Sequence, residues 1–177
     1  MNAGHASEIA DDASLVEAAR SGSRAAFEGL YNRYARLVHG ILLSRIPPWE
    51  VEDLVQDVFL TALRNLHTLR DSDAFGGWLV MIARNRAADY YRRSTETEEL
   101  PEALADKSAD YSEASAVLDV IRSLPEAYRE TLILRLVEGM TGPEIAARTG
   151  LTPGSVRVNL HRGMQLLREK LGTRDNS

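Results

Sequence analysis

A chain of 177 residues that is 44% hydrophobic is long enough for one ordinary domain or two small ones, and too apolar for global disorder. It has no cysteine, which excludes disulfide stapling, thiolate metal sites and a cysteine nucleophile together. A formal net charge of −5 argues against a sequence-wide affinity for nucleic acid, so any such affinity must sit in local patches.

Residues 1–12 read as disordered. They carry neither a basic start nor an apolar run, so no signal peptide is expected. No apolar stretch approaches the ~20 residues of a spanning helix, and a cytoplasmic protein is expected. A short helix follows Ser14. A long one follows Ser23, with Ala26, Phe27, Leu30, Tyr31, Tyr34, Leu37, Val38, Ile41 and Leu42 at helical spacing, and Pro47-Pro48 ends it. The next helix is the most regular. Val51, Leu54, Val55, Val58, Phe59, Ala62, Leu63 and Leu66 form its apolar stripe, and Glu52, Asp53, Gln56 and Asp57 lie on the other face. A loop from His67 to Ala74 precedes a fourth helix with Phe75, Trp78, Leu79, Ile82 and Ala83 on one side. The end of that helix is basic: Arg84, Arg86, Arg92 and Arg93 stand against Asp89 alone, with Tyr90 and Tyr91 between them.

Residues 94–112 have no apolar stripe and many carboxylates, which reads as a solvated linker. Helices resume near Glu113. Pro125 suits the first turn of a helix carrying Leu132, Ile133, Leu136 and Val137, which Gly139 stops. Thr141-Gly-Pro-Glu144 matches a capping box, and a short helix from Glu144 to Thr149 follows it. Gly150 supplies a left-handed turn, Thr152 an N-cap and Pro153 a first helical residue. Two helices around such a turn form a helix-turn-helix. The last helix runs to about Leu171. On a 3.6-residue wheel Val156, Leu160, Gly163, Leu167 and Leu171 face inward. Ser155, Arg157, Val158, His161, Arg162, Gln165 and Arg168 face outward. In such motifs the second helix enters the major groove, where Arg157 and Arg162 suit guanine edges or phosphates and Val158 a thymine methyl. A helix pair is also a common packing corner; the tight turn together with the two arginines favours DNA.

The order of these segments resembles the sigma factors of bacterial RNA polymerase, in the sigma-70 family's extracytoplasmic-function (ECF) group. VEDLVQDVFLTALRNL is similar to the family's polymerase-binding segment and FGGWLVMIARNRAADYYRR to its promoter-melting segment. The run from Leu124 to Leu171 is similar to its C-terminal domain. The resemblance implies an all-α fold of two small helical domains, 13–93 and 113–177, joined by a flexible acidic linker, 94–112. It implies a promoter-specificity subunit, not an enzyme, with no cofactor. Glu52, Asp53, Leu54, Gln56 and Asp57 would bind core RNA polymerase. Arg70, Asp71 and Ser72 of the loop, with Arg84, Asn85, Arg86, Tyr91, Arg92 and Arg93, would act on the −10 element. Capturing a flipped base needs a pocket, and holding a parted strand needs cationic and aromatic groups. Thr152, Ser155, Arg157, Val158, His161, Arg162 and Gln165 would read the −35 element of promoter DNA. The resemblance also implies an anti-sigma partner. Val158, Gly163 and Gly76-Gly77 depart from the family's usual residues.

Two other readings compete. One is a stand-alone helix-turn-helix regulator with a helical sensor or dimerisation domain. The acidic helix and the basic segment count against it, because a sensor needs neither. The other is a hydrolase using Glu52, Asp53 and Asp57, which lacks a histidine cluster or a glycine-rich phosphate loop. The four histidines, at 5, 39, 67 and 161, show no ligand spacing, so no metal site is expected.

Overall fold

A computed structural model describes residues 11–96 and 113–174. All regular structure among them is helical. The N-terminal part holds α1 (Asp12–Arg20), α2 (Arg24–Leu43), α3 (Val51–Asn65) and α4 (Phe75–Glu96). The C-terminal part holds α5 (Glu113–Arg122), α6 (Glu126–Leu136), α7 (Gly142–Thr149) and α8 (Pro153–Arg174). Short 3-10 turns precede α3 and shape the loop between α3 and α4. The linker expected over 94–112 lies largely outside the described residues, as does most of the segment 1–12. At their edges the helices reach further than expected. α1 starts at Asp12, because Asp11 accepts the Ser14 amide at 2.7 Å and so serves as its N-cap. α4 continues through Ser94 and Thr95 to Glu96.

In the N-terminal part α2 is the central helix. Leu30, Tyr34, Leu37, Val38, Ile41 and Leu42 are buried on it, against Val51, Val55, Val58 and Phe59 of α3 and Phe75, Leu79 and Ala83 of α4. Burying a side chain of this kind is worth about 1.5–3 kcal/mol, so this stripe holds the unit together. Asp12 of α1 ties down to α2 by pairing with Arg33 and accepting the Tyr34 hydroxyl. In the C-terminal part Ile121, Leu124, Leu132, Ile133, Ile145, Val156 and Leu167 form the corresponding core.

The two parts pack against each other, α2 against α6 and α4 against α7. Two glycines admit this approach. A Cβ on Gly40 would lie 2.6 Å from the Leu134 side chain, and a Cβ on Gly76 would collide with the Arg148 carbonyl oxygen. Polar groups stitch the same seam. Arg148 donates to the Arg33 carbonyl at 2.5 Å, Arg122 to the Ile46 carbonyl at 2.7 Å, and His39 pairs with Glu138.

α6 corrects one sequence expectation. Leu136 and Val137, placed on its apolar stripe, are half exposed, while Glu130, Thr131 and Leu134 are buried. The cause is its position between α2 on one side and α8 on the other. A helix enclosed on two sides has no single polar face, so the amphipathic wheel misassigns it. Leu63 of α3, also placed in a buried stripe, is 46% exposed.

Candidate nucleic-acid interface

The helix-turn-helix forms as its residues dictate. The Thr141 side chain accepts the Glu144 amide at 3.3 Å, and Glu144 accepts the Thr141 amide at 2.7 Å, closing the capping box. That hydrogen bond also holds the Glu144 carboxyl below its usual range. Gly150 takes φ 78°, which only glycine adopts without cost, and turns the chain into α8. Thr152 then accepts the Ser155 amide at 3.1 Å, capping α8. Thr152 and Ser155 also share a 2.8 Å hydroxyl contact, so both spend hydrogen bonds on the cap.

Beyond the cap, Arg157, Val158, His161, Arg162 and Gln165 are all exposed along one side of α8. Val156 and Leu167 are buried on the other, with Gly163, and Leu160 and Leu171 are partly buried. The expected outward face is therefore one continuous surface. α8 carries Arg157, Arg162, Arg168, Lys170 and Arg174 against Glu169, so it is a basic element in an acidic chain. Such a helix suits phosphates and base edges together.

A second cationic region lies along α4. Asn85, Tyr91, Arg92 and Arg93 are exposed, and Phe75 is buried in the core beside a partly buried Trp78. The arginines divide into two kinds. Arg86 is held by α3, donating to the Thr61 hydroxyl at 2.8 Å and lying 3.4 Å from the Asp57 carboxylate. Arg92 pairs with Asp89 at 2.5 Å on its own helix. Arg84 faces the other way, into the seam, and binds Glu130 at 2.5 Å. Tyr91 donates to the Arg45 carbonyl at 2.6 Å while its ring remains half exposed.

The loop between α3 and α4 is built from its own polar residues. Asp71 accepts the Asp73 amide at 3.0 Å. Ser72 donates to Glu17 and accepts from Arg20 at 3.3 Å, tying the loop to α1. Asp71 and Ser72 thus shape the loop, whereas Arg70 is exposed on it. Beside the loop, Ala19, Arg20, Leu63, Leu66, His67 and Leu69 line a cleft of about 440 Å³. Its lining is apolar apart from His67 and Arg20, and Arg20 is already paired with Glu17 at 2.6 Å.

The acidic face of α3 is intact. Glu52, Asp53, Gln56 and Asp57 are exposed and Leu54 is partly buried. One turn on, the same side presents Leu60 and Leu63, 50% and 46% exposed. Acidic and apolar groups thus stand side by side on it, the combination in which apolar anchors within a polar rim carry binding energy in protein interfaces. Leu60 was not singled out by sequence, and its three-four spacing from Gln56 was the available signal. Arg45, central to the seam, gave no signal at all.

Comparisons with known proteins agree with this layout. Residues 30–97 match Sigma-70 region 2, and residues 114–167 match Sigma-70, region 4. The chain is 35% identical over 166 residues to the RNA polymerase sigma factor CarQ of Myxococcus xanthus, covering 89% of this chain and 95% of that one. It is 28% identical over 184 residues to the ECF RNA polymerase sigma-E factor of Escherichia coli (strain K12), covering 93% and 96%. Among solved structures it is similar to CnrH in complex with the cytosolic domain of CnrY. That likeness has a TM-score of 0.63 and 30% identity, over 92% of this chain and 97% of the other.

Proposed function

This chain belongs to the sigma-70 family of RNA polymerase sigma factors, in its extracytoplasmic-function group, and from that membership we propose how its surfaces divide the work of a promoter-specificity subunit. The outward face of α8, with Arg157, Val158, His161 and Arg162, reads the −35 element. Arg70, the cleft beside it and the exposed Asn85, Tyr91, Arg92 and Arg93 hold the opened −10 element. Glu52, Asp53, Gln56 and Asp57 dock α3 on core polymerase, with Leu60 extending the contact. Arg86 acts by fixing α4 to α3, so that docking and strand capture share one rigid unit. The working units are the one ending with α4 at Glu96 and the one starting with α5 at Glu113, with the stretch between them as the linker.

On this reading the protein has no catalytic group of its own, and the bond-making chemistry stays with the polymerase. It works in the cytoplasm, where core polymerase and promoter DNA are its partners. An anti-sigma protein is a further partner, by the family resemblance and by the likeness to CnrH, itself solved with a second protein. Among the described residues no helix is long and apolar enough to cross a membrane.

One observation carries the proposal. Two exposed cationic faces lie on different helical units, and the exposed acidic face is on a third helix, α3, joined to α4 through Arg86 and Asp57. A stand-alone regulator needs only the first of these. Run-off transcription with purified core polymerase on a library of genomic fragments tests it. The expected result is a set of start sites that appear only when this chain is added. No new start site, with core polymerase shown active by another sigma subunit, overturns the proposal.

A further inference from the structure

Glu130 is one of three buried polar side chains among the described residues, and it is 4% exposed. It sits on α6 and binds two arginines of the N-terminal unit. Arg84 of α4 approaches it with both Nη2, at 2.5 Å, and Nε, at 3.3 Å. Arg45, just beyond α2, reaches it at 2.8 Å. The more exposed Glu126 takes a second contact from Arg45 at 2.5 Å. The Arg45 side chain is 13% exposed, and its Nε is buried without a hydrogen-bond partner.

The closed molecule cannot be the form that spans a promoter. By their nominal positions the −35 and −10 elements are centred about 25 base pairs apart, or about 85 Å of duplex at 3.4 Å per pair. A compact chain of 177 residues has a radius of gyration of about 16 Å, so it is about 40 Å across. Holding both elements requires the α2–α6 and α4–α7 contacts to part. Parting them removes Glu130 from Arg45 and Arg84. The two cations then stand bare, beside the exposed Tyr91 ring and on the helix that carries the melting segment.

We propose that Arg45 and Arg84 form a binding site for a backbone phosphate of the opened promoter strand, and that Glu130 occupies it in the closed molecule as an internal stand-in for that phosphate. This rests on the sigma-factor reading above. Arginine forks bind carboxylate and phosphate by the same paired geometry. A backbone phosphodiester presents two charged non-bridging oxygens, as a carboxylate does, so it can take the place of Glu130 between the two guanidinium groups. Glu130 and DNA therefore compete for one site, and closure of the molecule is coupled to the absence of DNA. Removing the charge of Glu130 leaves Arg45 buried with only Glu126, which favours the open form.

The test uses the full-length chain, free and bound to core polymerase, with a fluorescein-labelled thymidine 20-mer as probe, because the site reads phosphate and not sequence. In the free chain Glu130→Gln should raise affinity for the probe about ten-fold, by enlarging the competent population. Adding Arg45→Ala should erase that gain. In the holoenzyme, where Glu130 is already displaced, Arg45→Ala should lower the slope of log affinity against log salt by about 0.7, the loss of one single-strand phosphate contact. An unchanged affinity in Glu130→Gln overturns the proposal, as does a gain that survives Arg45→Ala. If Glu130→Gln loses helical content by circular dichroism, the holoenzyme salt slope decides alone, and an unchanged slope is the negative answer. Co-purification with core polymerase separates the two readings. A chain that binds core but shows none of these effects loses only the Glu130 competition. A chain that does not bind core loses the sigma reading, and the free-chain comparison still decides the competition.

Discussion

Arg162 lies two turns into α8, exposed, on the side opposite Val156 and Leu167. Its replacement should remove a contact without touching the core. Arg162→Ala is expected to cost about 1–3 kcal/mol in holoenzyme affinity for the upstream element, with helical content unchanged. Fluorescence anisotropy on a labelled −35 duplex measures it, and wild-type affinity would take Arg162 off the reading face. The outward face of α8 was legible because each of its residues depends only on helix geometry. Arg45 and Glu130 were not legible, since each acquires its role from a residue more than eighty positions away. Two of the departures from the family's usual residues, Gly76 and Gly163, find physical reasons in the same way. A Cβ at Gly76 would strike the Arg148 backbone, and one at Gly163 would lie 3.1 Å from Leu132. Both are places where helices come close, which no property of the glycine's own segment discloses.

Three helix starts were readable because capping is local: Ser23, Thr141 and Thr152 cap as their neighbours dictate, whereas α1 is capped by Asp11 and starts before Ser14. Thr141→Ala removes one half of a closed capping box and should lower stability by about 0.5–2 kcal/mol, read as a shift of the urea midpoint. α3 was also readable, except at its end, where Leu63 is exposed beside a cleft and not buried. That exposure gives the docking helix an apolar end. Leu60→Asp should weaken assembly with core polymerase at least ten-fold, the mark of an interface anchor, and leave the thermal midpoint almost unchanged, because Leu60 is half exposed. Glu52→Lys with Asp53→Lys should abolish assembly by charge reversal. Normal assembly of both variants in a pull-down would remove α3 as the docking element. α6 was misread for a physical reason: it is enclosed by both units, and its burial pattern belongs to the closed molecule, not to the helix.

The whole chain closes through a seam whose polar groups titrate differently. Glu126 is held below the usual carboxylate range by its hydrogen bond to Arg45, so it stays charged through the neutral region. His39 behaves in the opposite sense. From α2 its Nδ1 meets Glu138, just past the end of α6, and its Nε2 lies 3.7 Å from Glu52 of α3. Arg36, one turn before it, donates to the Glu138 carbonyl at 3.1 Å. The hydrogen bond to Glu138 raises the His39 pKa, outweighing the burial that would lower it. A histidine raised on closing contributes its stabilisation fully below the ordinary value of about 6.5, and loses it as pH rises through the raised value. Closure should therefore weaken from pH 6 to pH 8.5. Small-angle scattering of the free chain should show a radius of gyration that grows over that interval. His39→Gln should flatten the dependence, because the remaining seam contacts pair arginines with carboxylates or backbone carbonyls that keep their charge state across it. A radius that is constant with pH in the wild type, or a pH dependence that persists in His39→Gln, would show that closure does not draw on the His39–Glu138 pair.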